Sequence, residues 1–100
     1  MVGKNGLTTN PQAFGFWFKQ MYVHEMYGLM VRRGLIDVSL VDDLFSGGVL
    51  IMWEKYGPIV EELRVRWGYP QLQEHQEYLY EEIKKIVEKQ HPDYIGNLNR

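Results

Sequence analysis

His24-Glu25 opens like the zinc-peptidase pattern His-Glu-x-x-His, where two histidines one turn apart hold the metal and the glutamate acts as base. The fifth position is Gly28, so the second ligand is missing and the pattern fails. Glu88 and His91 carry the Glu-x-x-His spacing of di-iron bundles. Those centres need a second copy and two further carboxylates, and this copy sits at a helix end beside Pro92. No metal site is expected. A His or Met pair is also an axial haem set, but no Cys-x-x-Cys-His accompanies it. Met21, Met26, Met30 and Met52 read as core filler, so no cofactor is expected. Gly47-Gly48 lacks the Gly-Lys-Ser/Thr continuation of a phosphate loop. Ser39 and Ser46 are the only serines, and both fall at helix boundaries, where capping explains them. Asp42, Asp43, Glu54, Glu61 and Glu62 lie on solvated helix faces. None stands alone on an apolar face, the placement a general acid needs. No catalytic residue emerges, and the chain is expected not to be an enzyme.

The aromatic residues carry the remaining signal. Trp17, Trp53 and Trp67 each fall on the apolar face of a helix, where core packing outweighs ligand stacking. A second reading takes Trp53, Tyr56 and Trp67, with Trp17, as the walls of an apolar pocket.

Those residues need helices to position them, and the spacing predicts four. Asn10-Pro11 caps and starts the first, which runs to about Arg33 and stops at Gly34. Ser39 caps a brief second helix through about Phe45, and Ser46-Gly47-Gly48 breaks it. The third spans Val49 to Gly68, with Leu50, Trp53, Gly57, Val60, Leu63 and Trp67 on one face. Pro58 removes one backbone bond and is expected to kink it. Gly57 either relieves crowding at that kink or admits a neighbouring helix. The turn Gly68-Tyr69-Pro70 leads into the fourth, about Gln71 to Gln90, antiparallel to the third. Its seam is Leu72, Gln76, Leu79, Ile83 and Ile86, with one polar step. Glu81 and Lys85 form an i,i+4 pair on its wet face. The expected fold is therefore all-α, a compact bundle of three long helices and one short one. Residues 1–9 read as a flexible arm, 10–91 as a single domain and 92–100 as a polar tail.

The first helix has no single clean stripe. Phe14, Trp17, Phe18, Met21, Gly28 and Leu29 share one face, and Phe16, Val23, Tyr27, Met30 and Val31 lie largely on another. A helix apolar on more than one side is buried on more than one side. Either it is the central element, or part of it meets another protein chain. Phe14, Trp17, Met21, Tyr27 and Met30 are the candidate interaction residues.

Bulk composition narrows the classes. One hundred residues make one domain, burying roughly 60–65% of the surface of the unfolded chain. With 45% apolar and 14% aromatic residues, folding needs no metal or disulfide, and there is no cysteine for either. The net charge of −2 leaves no basic field for nucleic acid. Arg32-Arg33 and Arg64/Arg66 are short clusters, each with acidic neighbours, and Arg32-Arg33 suit a helix C-terminus. Lys19, Gln20, His24 and Glu25 interrupt residues 13–31, so no membrane span is expected. The N-terminus lacks a secretory apolar segment, and a cytoplasmic protein is expected.

The run RRGLID, VDDLF, WEKYGPIVEELR and YLYEEIKK resembles a family of small, uncharacterised prokaryotic helical domains of unknown function. Arg32–Asp37, Leu44-Phe45, Trp53–Glu62 and Tyr78–Lys84 carry the resemblance, over about residues 14–85. It implies a compact all-α domain with an RGLID-type corner, and no activity, cofactor or catalytic residue. Some relatives carry a membrane segment before the domain, which this sequence does not show. The expected function is a non-catalytic interaction or oligomerisation module, with self-association or a protein partner. The alternative is a bundle binding an apolar ligand. At the corner, Asp37 is expected to accept backbone or arginine hydrogen bonds and fix the angle after the first helix.

Overall fold

The computed structural model describes residues 11–90. The 1–9 arm, the Asn10 cap, His91 and the 92–100 tail lie outside them. Three helices make up the fold: α1 (Pro11–Arg32), α2 (Val38–Arg66) and α3 (Glu74–Gln90). No strand occurs among the described residues.

Helix α1 starts at Pro11, whose missing N–H has no helical partner in the first turn anyway. It stops at Gly34, which takes φ +75. The Gly34 N–H donates to the Val31 carbonyl at 3.0 Å and the Leu35 N–H to that of Met30 at 2.8 Å. This paired closure satisfies carbonyls the helix end leaves open. Gly68, at φ +61, closes α2 the same way.

Helix α2 is made of two helical stretches that meet at a kink at Phe45 (φ −163, ψ 48), one residue before the expected break at Ser46-Gly47-Gly48. The stretch before the kink stands where the short helix was expected, run on into the long one without a loop between them. The dihedrals at Pro58 remain helical, so no break falls there. Pro58 and Glu54 are both exposed, so water can serve the Glu54 carbonyl that proline leaves unpaired. The bend falls at Phe45 because its ring packs on α1, 5.3 Å from the Tyr27 ring and 6.4 Å from His24. The weak helix formers Ser46, Gly47 and Gly48 follow it and resist little. The cap also moves: Asp37, not Ser39, precedes the helix, and its carboxylate accepts from the Ser39 N–H at 2.8 Å.

Helix α3 begins at Glu74, three residues later than expected, after a turn pinned by Arg64. The Arg64 Nε donates to the Leu72 carbonyl at 2.8 Å, and its Nη2 pairs with Glu77 at 3.0 Å. Gln76, Leu79, Tyr80, Ile83 and Val87 form the buried face, while Leu72 and Ile86 are half-buried. Lys85 bonds Glu82 at 3.0 Å, one residue away from the expected Glu81.

The last helix is the central one. α3 packs along both α1 and α2, whose own backbones approach only briefly. Leu50, Leu79 and Ile83 form the fully buried centre with Val41, Val49 and Val60. Helix α1 therefore packs mainly on α3, with Trp17, His24 and Tyr27 also meeting rings of α2, and part of its surface stays exposed.

Candidate interaction face

Trp17, Met21, His24 and Gly28 form the buried side of α1, a stripe at i, i+4, i+7 and i+11. Gly28 marks the crossing with α3. A Cβ placed there would stand 1.9 Å from the His75 carbonyl oxygen, so only hydrogen lets the two backbones meet. A polar clamp surrounds this contact. Glu25 accepts from the Gln76 N–H at 2.8 Å, putting a carboxylate on the free amides that begin α3. Gln73 donates to the Met21 carbonyl and to the Gln76 side chain, both at 2.8 Å. Gln76 is fully buried, and its amide also reaches the Met21 sulfur at 3.7 Å. These bonds hold Gln73 at φ +56, a left-handed conformation unusual for a side-chain-bearing residue. On the same face, His24 Nδ1 donates to the Gln20 carbonyl at 2.8 Å.

This clamp fixes which part of α1 stays open. Phe14, Phe18, Tyr22 and Met26 follow one another at four-residue steps beside the buried stripe, and are 40%, 57%, 58% and 40% exposed. Phe14 and Phe18 also touch, with ring centres 6.1 Å apart. Between them lies an open groove of about 530 Å³, lined by Phe14, Gly15, Phe18, Lys19 and Tyr22. Nothing stands within 4 Å of a Cβ built on Gly15, so the groove floor is bare backbone. Lys19 supplies its one charge. Phe16, on the far side of the helix, is 66% exposed.

The structure divides the expected interaction residues. Phe14 lies on the open face. Trp17 and Met21 belong to the core of this chain, and Trp17 stacks edge-on to Tyr56 at 6.2 Å. Tyr27 and Met30 are half-buried, Tyr27 against Phe45. Phe18 was assigned to the same face as Trp17, but an extra 100° turns it outward. Tyr22 was assigned to no face, although its four-residue step from Phe18 is legible.

The expected pocket residues do not converge. Trp53 is buried with its ring 6.3 Å from Tyr80, and its indole lies 3.1–3.3 Å from the position of a Cβ on Gly57. The room left by Gly57 is thus taken by a ring of the same helix. Trp67 is 62% exposed at the end of α2 and makes no ring contact among the described residues. Tyr80 donates a hydrogen bond to Glu54. Burial, then that bond and the Glu54 charge, raise its phenol well above the ordinary tyrosine value.

Three of the four clustered arginines are engaged within the chain. Arg64 holds the turn, Arg66 pairs with Glu62 at 2.7 Å, and Arg32 lies 5.1 Å over the Tyr78 ring. No group of three metal-binding side chains occurs among the described residues. No helix among them is long and apolar enough to cross a membrane.

A family model described as a domain of unknown function, DUF4760, matches residues 22–84. The chain belongs to this family. No curated protein and no solved structure matches it. The DUF4760 match takes in the Gly28 crossing, the Gly34–Asp37 corner and the Glu25–Gln73–Gln76 clamp. Phe14, Gly15, Phe18 and Lys19 precede it, so most of the open groove lies outside the matched stretch.

Proposed function

We propose that this chain is a non-catalytic interaction module of the DUF4760 family that associates through the open aromatic face of α1. One observation carries the reading. Phe14, Phe18 and Tyr22 lie in one row on a single helix, and each is at least 40% exposed. Isolated exposed apolar side chains are ordinary, but a contiguous row beside an apolar groove marks a surface that another apolar surface covers. The fold supports this division of labour. α3 and the polar clamp hold α1 rigidly by its other side, so the face is presented rather than assembled on contact.

Native mass spectrometry of the purified protein tests the reading. A multiple of 11.9 kDa, or a complex with a co-purified chain, is expected, and the Phe18→Glu, Tyr22→Glu double variant loses it. Both positions are exposed, so the variant keeps its fold and thermal midpoint. A bare monomer for the wild type, or a complex unchanged in the variant, overturns the assignment.

A further inference from the structure

Resting on that reading, we infer that the occupant of the α1 face is a second copy of the same face, packed about a two-fold axis near Phe18 and Lys19. Three features of the surface point to this partner.

The first is self-complementarity. A two-fold interface must offer both a projection and its matching recess on one patch. The row Phe14–Phe18–Tyr22 is a ridge along the i, i+4 direction, and the groove floored by Gly15 runs directly beside it. Ridges of this direction seat in the equivalent grooves of a facing helix. Because Gly15 leaves its floor bare, the partner's ring can approach the backbone.

The second is charge. The groove carries Lys19 and no carboxylate. A strongly charged partner would leave all but one of its charges unpaired against these rings, whereas a second copy brings only its own Lys19, whose exposed flexible stem carries the ammonium out to water and away from its mate. The ten residues before Pro11 hold only Met1, Val2 and Leu7 as apolar side chains and no ring. That segment does not match an aromatic ridge.

The third is area. With about 200 Å² per large side chain, the exposed fractions of Phe14, Phe18, Tyr22 and Met26 leave about 400 Å² of apolar surface on each copy. Two copies bury about 800 Å² from these side chains alone, and the Gly15 backbone and Lys19 stem bring the contact to the threshold of a specific interface. A contact of that size belongs to the weak, reversible class of interfaces.

The chain contains no cysteine, so one engineered thiol reports on one position. Lys19→Cys is mixed with a short bis-maleimide, beside Glu61→Cys as a control on the exposed side of α2. Sedimentation velocity of the unmodified chain is run in parallel. The expected result is a covalent dimer for Lys19→Cys and none for Glu61→Cys. Gly15→Leu, which fills the groove, weakens the dimer at least tenfold with its helical circular dichroism intact. Linking of both thiols to the same extent overturns the inference. If the unmodified chain associates while Lys19→Cys stays unlinked, the two-fold packing is wrong and the interaction reading survives. If the unmodified chain sediments as a monomer at near-millimolar concentration, the second-copy inference falls, and the interaction reading then stands or falls on the co-purified chain.

Discussion

Gly28→Ala is the sharpest perturbation this fold permits. The added methyl would stand 1.9 Å from the His75 carbonyl oxygen, 2.4 Å from its carbon and 3.1 Å from the Gln76 nitrogen. The first two are under the 3.0 Å that Cβ contacts essentially never breach, and the obstacle is backbone, which no rotamer change clears. α1 and α3 must therefore separate by roughly 1 Å, a gap that forfeits a quarter to a half of the dispersion attraction along their contact. The Glu25–Gln76 and Gln73–Met21 bonds flank the site and stretch with it. Overpacking of this kind costs about 1–3 kcal/mol, and weakening the two bonds adds about 1 kcal/mol. Alanine returns about 1 kcal/mol as a better helix former than glycine. The net expectation is a loss of about 1–3 kcal/mol, or roughly 5–20 °C in the thermal midpoint of a domain this size. Urea unfolding followed by fluorescence of the buried Trp17 and Trp53 measures it. Gly15→Ala, with nothing within 4 Å, is the matched control and should gain a few tenths to about 1 kcal/mol. Opposite signs at two glycines of one helix isolate the crossing from propensity. A Gly28→Ala variant within 0.5 kcal/mol of the wild type would refute the close approach.

Four further outcomes follow from named contacts. Arg64→Met removes the bonds to the Leu72 carbonyl and Glu77, and should cost about 2 kcal/mol by urea unfolding; a neutral result would show that the turn needs no pin. Gln73→Ala keeps the left-handed backbone strain but loses the bonds to Met21 and Gln76, so it should cost about 1–2 kcal/mol, whereas Gln73→Gly recovers part of that by relieving the strain. The Tyr80 phenol is raised in the folded state, so its contribution is fully present below the ordinary tyrosine value of 10.0 and fades as pH climbs above it. Tyr80→Phe should therefore flatten the alkaline fall in thermal midpoint, and an unchanged slope would count against the Glu54 bond. The Ser39 backbone bond, and then the Ser39 side chain, hold the Asp37 carboxyl below 3.8; its contribution is present above the ordinary carboxylate range and lost as pH falls through the lowered value. Asp37→Ala should lower the midpoint at neutral pH and lose that difference in acid, with Asp37→Asn close to wild type as an equally good cap.

The helices were legible because their stop signals are local. Gly34 and Gly68 ended α1 and α2 where a left-handed residue was required. The break at Ser46-Gly47-Gly48 was legible to within one residue of the kink at Phe45, whereas the bend expected at Pro58 came from weighing proline by its lost bond alone. On an exposed face that bond is replaced by water, while the packing of Phe45 on Tyr27 and His24 is a long-range fact. The surplus of apolar faces on α1 was also visible, but its division between core and surface was not. Trp17 and Phe18 are adjacent in sequence, and only the placement of the other helices, Tyr56 of α2 among them, decides which is covered. Gln76 showed as a polar step in an apolar seam. Its partners, Glu25, Gln73 and Met21, lie on either side of a crossing that a lone glycine in α1 does not announce.

The central claim is that the row Phe14–Phe18–Tyr22 is an association surface. Sedimentation equilibrium across a dilution series, comparing the unmodified chain with Phe18→Glu, tests it most directly. The average mass of the unmodified chain should climb above 11.9 kDa through the micromolar range, while Phe18→Glu stays at 11.9 kDa with an unchanged thermal midpoint. Identical masses for both proteins at every concentration would contradict it.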